Sequence, residues 1–305
     1  MPARMMYGIA VHKYIDTMYK TDGHIPTAKV EASNVFNKIV HEDDKRLAHL
    51  SDVNHMLSVA HWTWEMAVVS DKDFEILHIN DTCWYCKGTG KSSPREDSGV
   101  CCPCKGTGYR KQPASEVTYS FPYYQDEYVN VNWCGTMDRI GKIRDGIYVI
   151  PDWKCTSSWN EKEYFTQYEM AKSPRGYVLA MKLMAERFPD SDLGKIGAQN
   201  IGAQFYGIFI KPVSNQVKFV RSEVFTYRFD EINEFRQLLD DKCREISQAV
   251  KTGYYPRQGL INGSCEGKWG KCLFWNVCKH PDVIGKILLE KDFVKKPFNP
   301  LAYAD

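Results

Sequence analysis

Asp138, Asp152 and Lys154 hold the densest chemistry in this chain. They fall within GTMDRIGKIRDGIYVIPDWK, residues 135–154, which reads as two short strands joined by a tight polar turn at Arg144-Asp145-Gly146. Ile147, Val149 and the residues just before Asp152 alternate or run apolar, as a half-buried strand requires. Strand side chains alternate faces, so Asp152 and Lys154 point the same way. If the two strands pair as a hairpin, Asp138 comes beside them. Two acids with a nearby cation make a poor core but a good seat for a hard divalent ion with a phosphate next to it.

The order G-x-x-D-x-I, a glycine-containing turn, an apolar strand and D-W-K resembles the core motif of the PD-(D/E)XK nuclease superfamily. The likeness is to the RecB-type exonucleases and their phage-encoded relatives in particular. It implies that Asp138 and Asp152 bind catalytic Mg²⁺ or Mn²⁺, and that Lys154 positions the attacking water and stabilises charge on the phosphate. Two further places match. Gly8-x-x-x-His12-x-x-Ile15-Asp16 looks like the first motif of these enzymes, in which a histidine on an early helix leans into the metal site. Glu116, opening the strand EVTYSFPYY, takes the place of a glutamate that joins the metal shell. Without the resemblance, His12 reads as a satisfied helix histidine and Glu116 as a strand-end acid. Asp16 reads as a solvated charge.

The family's Q-x-x-x-Y helix motif is not reproduced. Gln167 has Ala171 where the tyrosine would stand, and Tyr177 has Ser173 four positions before it. Aligning on S-P-R-G-Y instead puts Arg175 near the glutamine's place, where a guanidinium could hold a phosphate bidentately.

The chain has 11 cysteines, an odd count in a sequence with no signal-peptide layout, which favours metal ligation in a reducing compartment over disulfides. Cys83-x-x-Cys86-Lys-Gly-Thr-Gly recurs as Cys101-x-x-Cys104-Lys-Gly-Thr-Gly. Two thiolates on each turn close one tetrahedral Zn²⁺ site, and the glycines let backbone N–H groups approach sulfur. The repeat resembles the DnaJ-type module in two copies. Lys87, Lys91, Lys105, Arg110 and Lys111 could make this insertion a grip on nucleic acid or a protein partner. The plainer role is a metal staple for a loop too small for its own core. Cys265, Cys272 and Cys278 are similar to the cysteine tail of iron–sulfur members of the RecB-type family, including the CRISPR-adaptation nucleases. Those relatives place a fourth cysteine before the first motif, and this chain has none there. A 4Fe–4S cluster would need Cys134, Cys155 or Cys243 as its fourth donor. His280 could instead complete a second Zn²⁺ site, and free thiols in a packed tail are the third reading.

The elements that must position these residues follow from periodicity. Residues 7–20 form a helix with Val11, Ile15 and Met18 as its buried stripe. Residues 27–70 are helical with a break at residues 41–44; His49, His55 and His61 lie six apart and share no face, so they are not a metal set. Trp62 and Trp64 belong to the core or an interface. Strands are expected at EVTYSFPYY and YVNVNW, then a helix capped by Ser173 and running from Pro174 to Phe188. Strands QFYGIFIKP and VKFVRSEVFTYR follow, turning at residues 213–216, and then a long helix over residues 230–251.

At 305 residues and 43% hydrophobic content the chain has ample material for a core. A net charge of only +2 gives no global basic field, so any DNA contact is local. No apolar run is long enough to span a bilayer. The expected fold is α/β, a mixed central sheet flanked by helices around a restriction-endonuclease-like core, with a small inserted zinc-binding module. The expected divisions are residues 1–82 (helical part), 83–110 (zinc insertion), 111–255 (nuclease core) and 256–305 (cysteine tail). The expected activity is metal-dependent cleavage of DNA, with RNA still open. The expected setting is the cytoplasm, the host's if the chain is phage-encoded, beside a recombination or replication partner and away from membranes. The rival expectation is a non-catalytic nucleic-acid-binding or assembly protein that uses the zinc knuckles.

Overall fold

The structure is a computed structural model that describes residues 3–37, 52–82, 91, 105–144, 146–157, 160–169, 171–211, 216–255, 265–267, 270–272, 274–280 and 283–293. Outside them lie Cys83, Cys86, Cys101 and Cys104 of the expected zinc module, the helix break at residues 41–44, His49, Asp145 of the hairpin turn, and residues 213–215. The chain divides into two compact units, Met1–Thr118 with Thr136–Arg236, and Tyr119–Gly135 with Gln237–Asp305.

The first unit is built on a five-stranded mixed sheet. Its strands are β1 (Phe74–Ile76), β6 (Gly141–Ile143), β7 (Tyr148–Thr156), β8 (Ile201–Lys211) and β9 (Gln216–Phe225), in that spatial order. β7 and β8 run parallel, from Tyr148 opposite Ile201 to Thr156 opposite Phe209, and the other neighbours are antiparallel. A parallel pair needs a crossover, and the chain supplies it as α4 (Glu161–Glu169), α5 (Lys172–Arg187) and α6 (Asp192–Gly197). α5 buries Val178, Leu179, Met181 and Leu183. It begins slightly before the expected Ser173 cap, with Ala171 in extended conformation as N-cap and Pro174 inside the first turn, where its missing N–H costs nothing.

Three helices, α1 (Ala3–Lys20), α2 (Ile25–Asn37) and α3 (Val53–Ser70), form one core with the sheet residues Trp153, Tyr206, Ile208 and Ile210. Val11, Ile15 and Met18 of α1 are buried in it, as their spacing requires. His55 and His61 serve this packing: Tyr7 Oη lies 3.1 Å from His55 Nδ1, and Tyr14 Oη 2.9 Å from His61 Nδ1. Trp64 packs edge-on against Tyr19, with 4.6 Å between ring centroids. Two further ribbons are β2 (His78–Thr82) with β3 (Tyr109–Pro113), and β4 (Ser115–Gln125) with β5 (Asn130–Arg139).

The second unit holds the outer part of the β4–β5 ribbon and the C-terminal portion of α7 (Phe229–Thr252). It also contains the short hairpin β10 (Glu266–Gly267) and β11 (Gly270–Lys271), then α8 (Trp275–Lys279) and α9 (Val283–Asp292). Tyr123 packs on Trp133 and donates its hydroxyl to Asp240 at 2.7 Å, tying ribbon to helix. Among the described residues no helix is long and apolar enough to cross a membrane.

Candidate metal centre

β6 pairs with β7 at Gly141↔Val149 and Lys142↔Tyr148. β7 runs on to Thr156 with β8 along its other side, so its remaining edge is free for another partner. Asp138, near the end of β5, takes that place: its Oδ2 accepts the backbone N–H of Trp153 at 2.6 Å. A carboxylate is a stronger acceptor there than a strand carbonyl. Strand alternation then sorts the neighbours. Trp153 points into the helical core against Tyr206, while Asp152 and Lys154 share the opposite face and form an ion pair. Tyr177, projecting from α5, donates its hydroxyl to Asp152 Oδ1 at 3.1 Å.

Two further elements converge on Asp138. His12 of α1 brings Nδ1 within 3.7 Å of Asp138 Oδ2. Glu116 arrives from the start of β4, where its backbone has φ +50°, a left-handed conformation rare for a residue with a Cβ. One ligand atom from each of His12, Glu116 and Asp138 lies within 4.8 Å of the other two. Asp152 is not in that set but is electrostatically engaged with both His12 and Asp138.

The charges of this cluster are set by burial and by one another. Burial, then the carboxylates of Asp138 and Asp16, hold Glu116 well above the ordinary carboxylate range. Burial also raises Asp138, with Lys154 and the Trp153 N–H pulling it partly back. Asp152 is raised by burial and by Asp138. Burial pulls His12 down to about 4, and the Lys154 ammonium adds to this, so the imidazole is neutral at pH 7 and free to ligate. Burial lowers the Lys154 ammonium, but Asp152 and Asp138 more than reverse this and keep it charged. A neutral imidazole among carboxylates that repel one another is a donor set suited to a hard divalent ion such as Mg²⁺ or Mn²⁺.

Asp16 corrects an expectation. It is not a solvated charge but is 3% exposed, paired with Lys20 at 2.9 Å and Lys13 at 3.8 Å, and its field pushes up both Glu116 and Asp138. The i,i+3 and i,i+4 spacing of Lys13, Asp16 and Lys20 on one helix was the available signal. Gln167 is exposed on α4 and gives its amide to the Tyr164 carbonyl at 2.7 Å. Arg175 donates to the carbonyls of Glu169 and Ala171 at 3.0 and 3.2 Å and lies 4.8 Å from the centre of the Tyr227 ring, steadying the start of α5. Tyr177, by contrast, is bonded to the motif carboxylate Asp152.

Cys265 and Cys278 are half-buried and Cys272 is exposed; the Cys272 N–H bonds to the Cys265 carbonyl at 2.9 Å. Among the described residues His12, Glu116 and Asp138 are the group of three with ligand atoms gathered this closely. Cys155 follows Lys154 into the core side, and burial pushes its thiol up to about 12. Compared with known proteins, the sequence matches no protein-family model, and no curated protein matches it.

Proposed function

We propose that this chain is a metal-dependent nuclease that hydrolyses phosphodiester bonds in DNA, built on a restriction-endonuclease-like core. The observation that carries the reading is the meeting of His12, Glu116 and Asp138, from three separate elements, beside the Asp152–Lys154 pair. The mixed sheet supports it, with its antiparallel β6–β7 hairpin, helical crossover and parallel β8. His12, Glu116 and Asp138, with Asp152 adjacent, would hold Mg²⁺ or Mn²⁺, which when bound would lower the pKa of a water and offset charge on the scissile phosphate.

The protein's own groups do the rest. Lys154, charged and fixed by Asp152, donates to a phosphoryl oxygen or orients the attacking water. Tyr177 fixes Asp152 in turn, so the lysine sits in a chain of directed bonds instead of sampling rotamers. His12 stays neutral and presents a nitrogen lone pair. The RecB-type resemblance extends the proposal to an exonuclease acting in phage recombination, replication or DNA degradation. It also extends it to Zn²⁺ on Cys83, Cys86, Cys101 and Cys104, and to a 4Fe–4S cluster or second Zn²⁺ on Cys265, Cys272 and Cys278.

Incubating the full chain with linear DNA, and separately with RNA, in Mn²⁺ or in EDTA tests the activity. Cleavage that needs Mn²⁺ and disappears in Asp152→Ala and Asp138→Ala supports it. Cleavage that persists in both variants overturns it, as does DNA binding with no cleavage in any metal.

A further inference from the structure

On α4 the sequence motifs touch only Gln167, yet this helix carries two phenols, Tyr164 and Tyr168, toward the D-x-K pair. We propose that Tyr164, supported by Tyr168, is a substrate-binding residue of the same site, its hydroxyl donating to a non-bridging oxygen of the DNA backbone beside the phosphate that faces Lys154. The inference rests on the nuclease reading.

The placement is built from the sheet upward. Phe205 and Gly207 of β8 lie opposite Asp152 and Lys154 in the parallel register, so they share the face that bears the acid and the lysine. Tyr168 stacks on Phe205, with 4.1 Å between ring centroids and 25° between planes. Gly207 leaves the space next to Lys154 open. A Cβ there would lie 3.0 Å from the Phe165 ring and 2.5 Å from Phe209, so the glycine is what lets α4 sit this low. Tyr164 closes the group, edge-on to Phe209 at 5.3 Å.

These ring contacts alone would anchor the helix, and phenylalanines would do it equally well. The hydroxyls do something else. Tyr168 Oη donates to Tyr164 Oη at 3.1 Å, which leaves the Tyr164 proton to be given onward and polarises it. The pair also lies where the chemistry is: Tyr168 is within electrostatic reach of Lys154, and Tyr164 of Asp152. Burial raises Tyr164 further above its ordinary value, so it remains a donor at any working pH. Tyr177 is already committed to Asp152. The outward donor on this side of the lysine is therefore Tyr164, and Tyr168 is a positioning residue acting through it.

The test is steady-state hydrolysis of an end-labelled linear duplex by the full chain in Mn²⁺. Tyr164→Phe should raise KM roughly tenfold, the scale of a hydrogen bond to a charged oxygen, and leave kcat within about twofold. Tyr168→Phe should raise KM by less, and the double variant should match Tyr164→Phe, because one hydroxyl works through the other. Both substitutions keep the rings and lose only the hydroxyl–hydroxyl bond, so melting temperature should fall by no more than a few degrees; if Tyr164→Phe fails to fold, the Tyr168→Phe shift decides. An active parent enzyme whose variants keep its KM overturns this inference and leaves the nuclease reading standing. A parent chain that never cleaves overturns both.

Discussion

Trp153 gives its backbone N–H to the Asp138 carboxylate at 2.6 Å, so one acid both belongs to the candidate metal cluster and closes the open edge of β7. The two roles separate by substitution. Asp138→Asn keeps an oxygen acceptor for the Trp153 N–H and should fold nearly normally, whereas Asp138→Ala strands that N–H at a cost of about 1–3 kcal/mol. Both should lower cleavage by roughly a thousandfold or more, as loss of metal-borne charge stabilisation implies. Urea unfolding beside a DNA-hydrolysis assay reads both effects; equal stability of the two variants would remove the edge-closing role.

Glu116 is where charge and backbone strain coincide, so changing it should stabilise the metal-free protein. Its folded pKa is raised by burial, Asp138 and Asp16. A raised carboxylate contributes stability that is present below its ordinary 4.5 and is lost as pH rises through the folded value. Glu116→Gln should therefore raise the metal-free melting temperature at pH 7 by a few degrees, on the order of 1 kcal/mol, and gain nothing near pH 4. Glu116→Gly should gain more, since glycine accepts φ +50° without strain. Mn²⁺ should stabilise the parent far more than either variant. Scanning calorimetry across pH with and without Mn²⁺ checks the set, and a parent that melts above Glu116→Gln in EDTA at pH 7 contradicts it.

The hairpin, the shared face of Asp152 and Lys154, and the His12 helix were legible because each depends on spacing within a few residues. Glu116 needed a family pattern, since its approach to Asp138 comes from a separate strand. Asp16 was read as a solvated charge because burial does not show in its spacing from Lys13 and Lys20; only the packing of α1 shows it buried. The role of α4 was invisible for the same reason: Tyr164 and Tyr168 matter through Phe205, Gly207 and Phe209, some 40 residues away, and no local rule links them. Arg175 and Tyr177 are two positions apart on a helix and so point in different directions, a distinction that loose alignment to a Q-x-x-x-Y pattern cannot make.

That distinction is testable. Tyr177→Phe removes a donor from a carboxylate only 2% exposed and should lower kcat about tenfold with KM little changed, because the loss acts through Asp152 and Lys154. Arg175→Ala loses the bonds to Glu169 and Ala171 and should cost about 1 kcal/mol at the start of α5, leaving kcat near that of the parent. If Arg175→Ala is instead the slower enzyme at full substrate saturation, the arginine and not the tyrosine does the work of the motif.

Arg139, the residue after Asp138, turns to the opposite face and is wholly buried. Its Nη1 bonds Asp71 at 3.2 Å and also meets the Tyr19 hydroxyl, while the rings of Tyr19, Phe74, Trp153 and Tyr206 surround the guanidinium with centroids 4.7–4.9 Å away. Among the described residues Nε and Nη2 have no hydrogen-bond acceptor, so the ring faces take up part of the charge. Asp71 is held in turn by the Tyr206 hydroxyl at 2.9 Å and by Arg221 at 3.3 Å. Removing one side of such a pair leaves the other charge buried, so Arg139→Met should cost about 3–5 kcal/mol. Arg139→Met with Asp71→Asn should recover part of that loss, because Asp71 would otherwise keep only Arg221, itself partly exposed, as its counter-charge. Urea unfolding of the two single variants and the double gives the coupling directly. Strict additivity would show that the aromatic rings, and not Asp71, are what Arg139 needs to lock the end of β5 beside the candidate metal cluster.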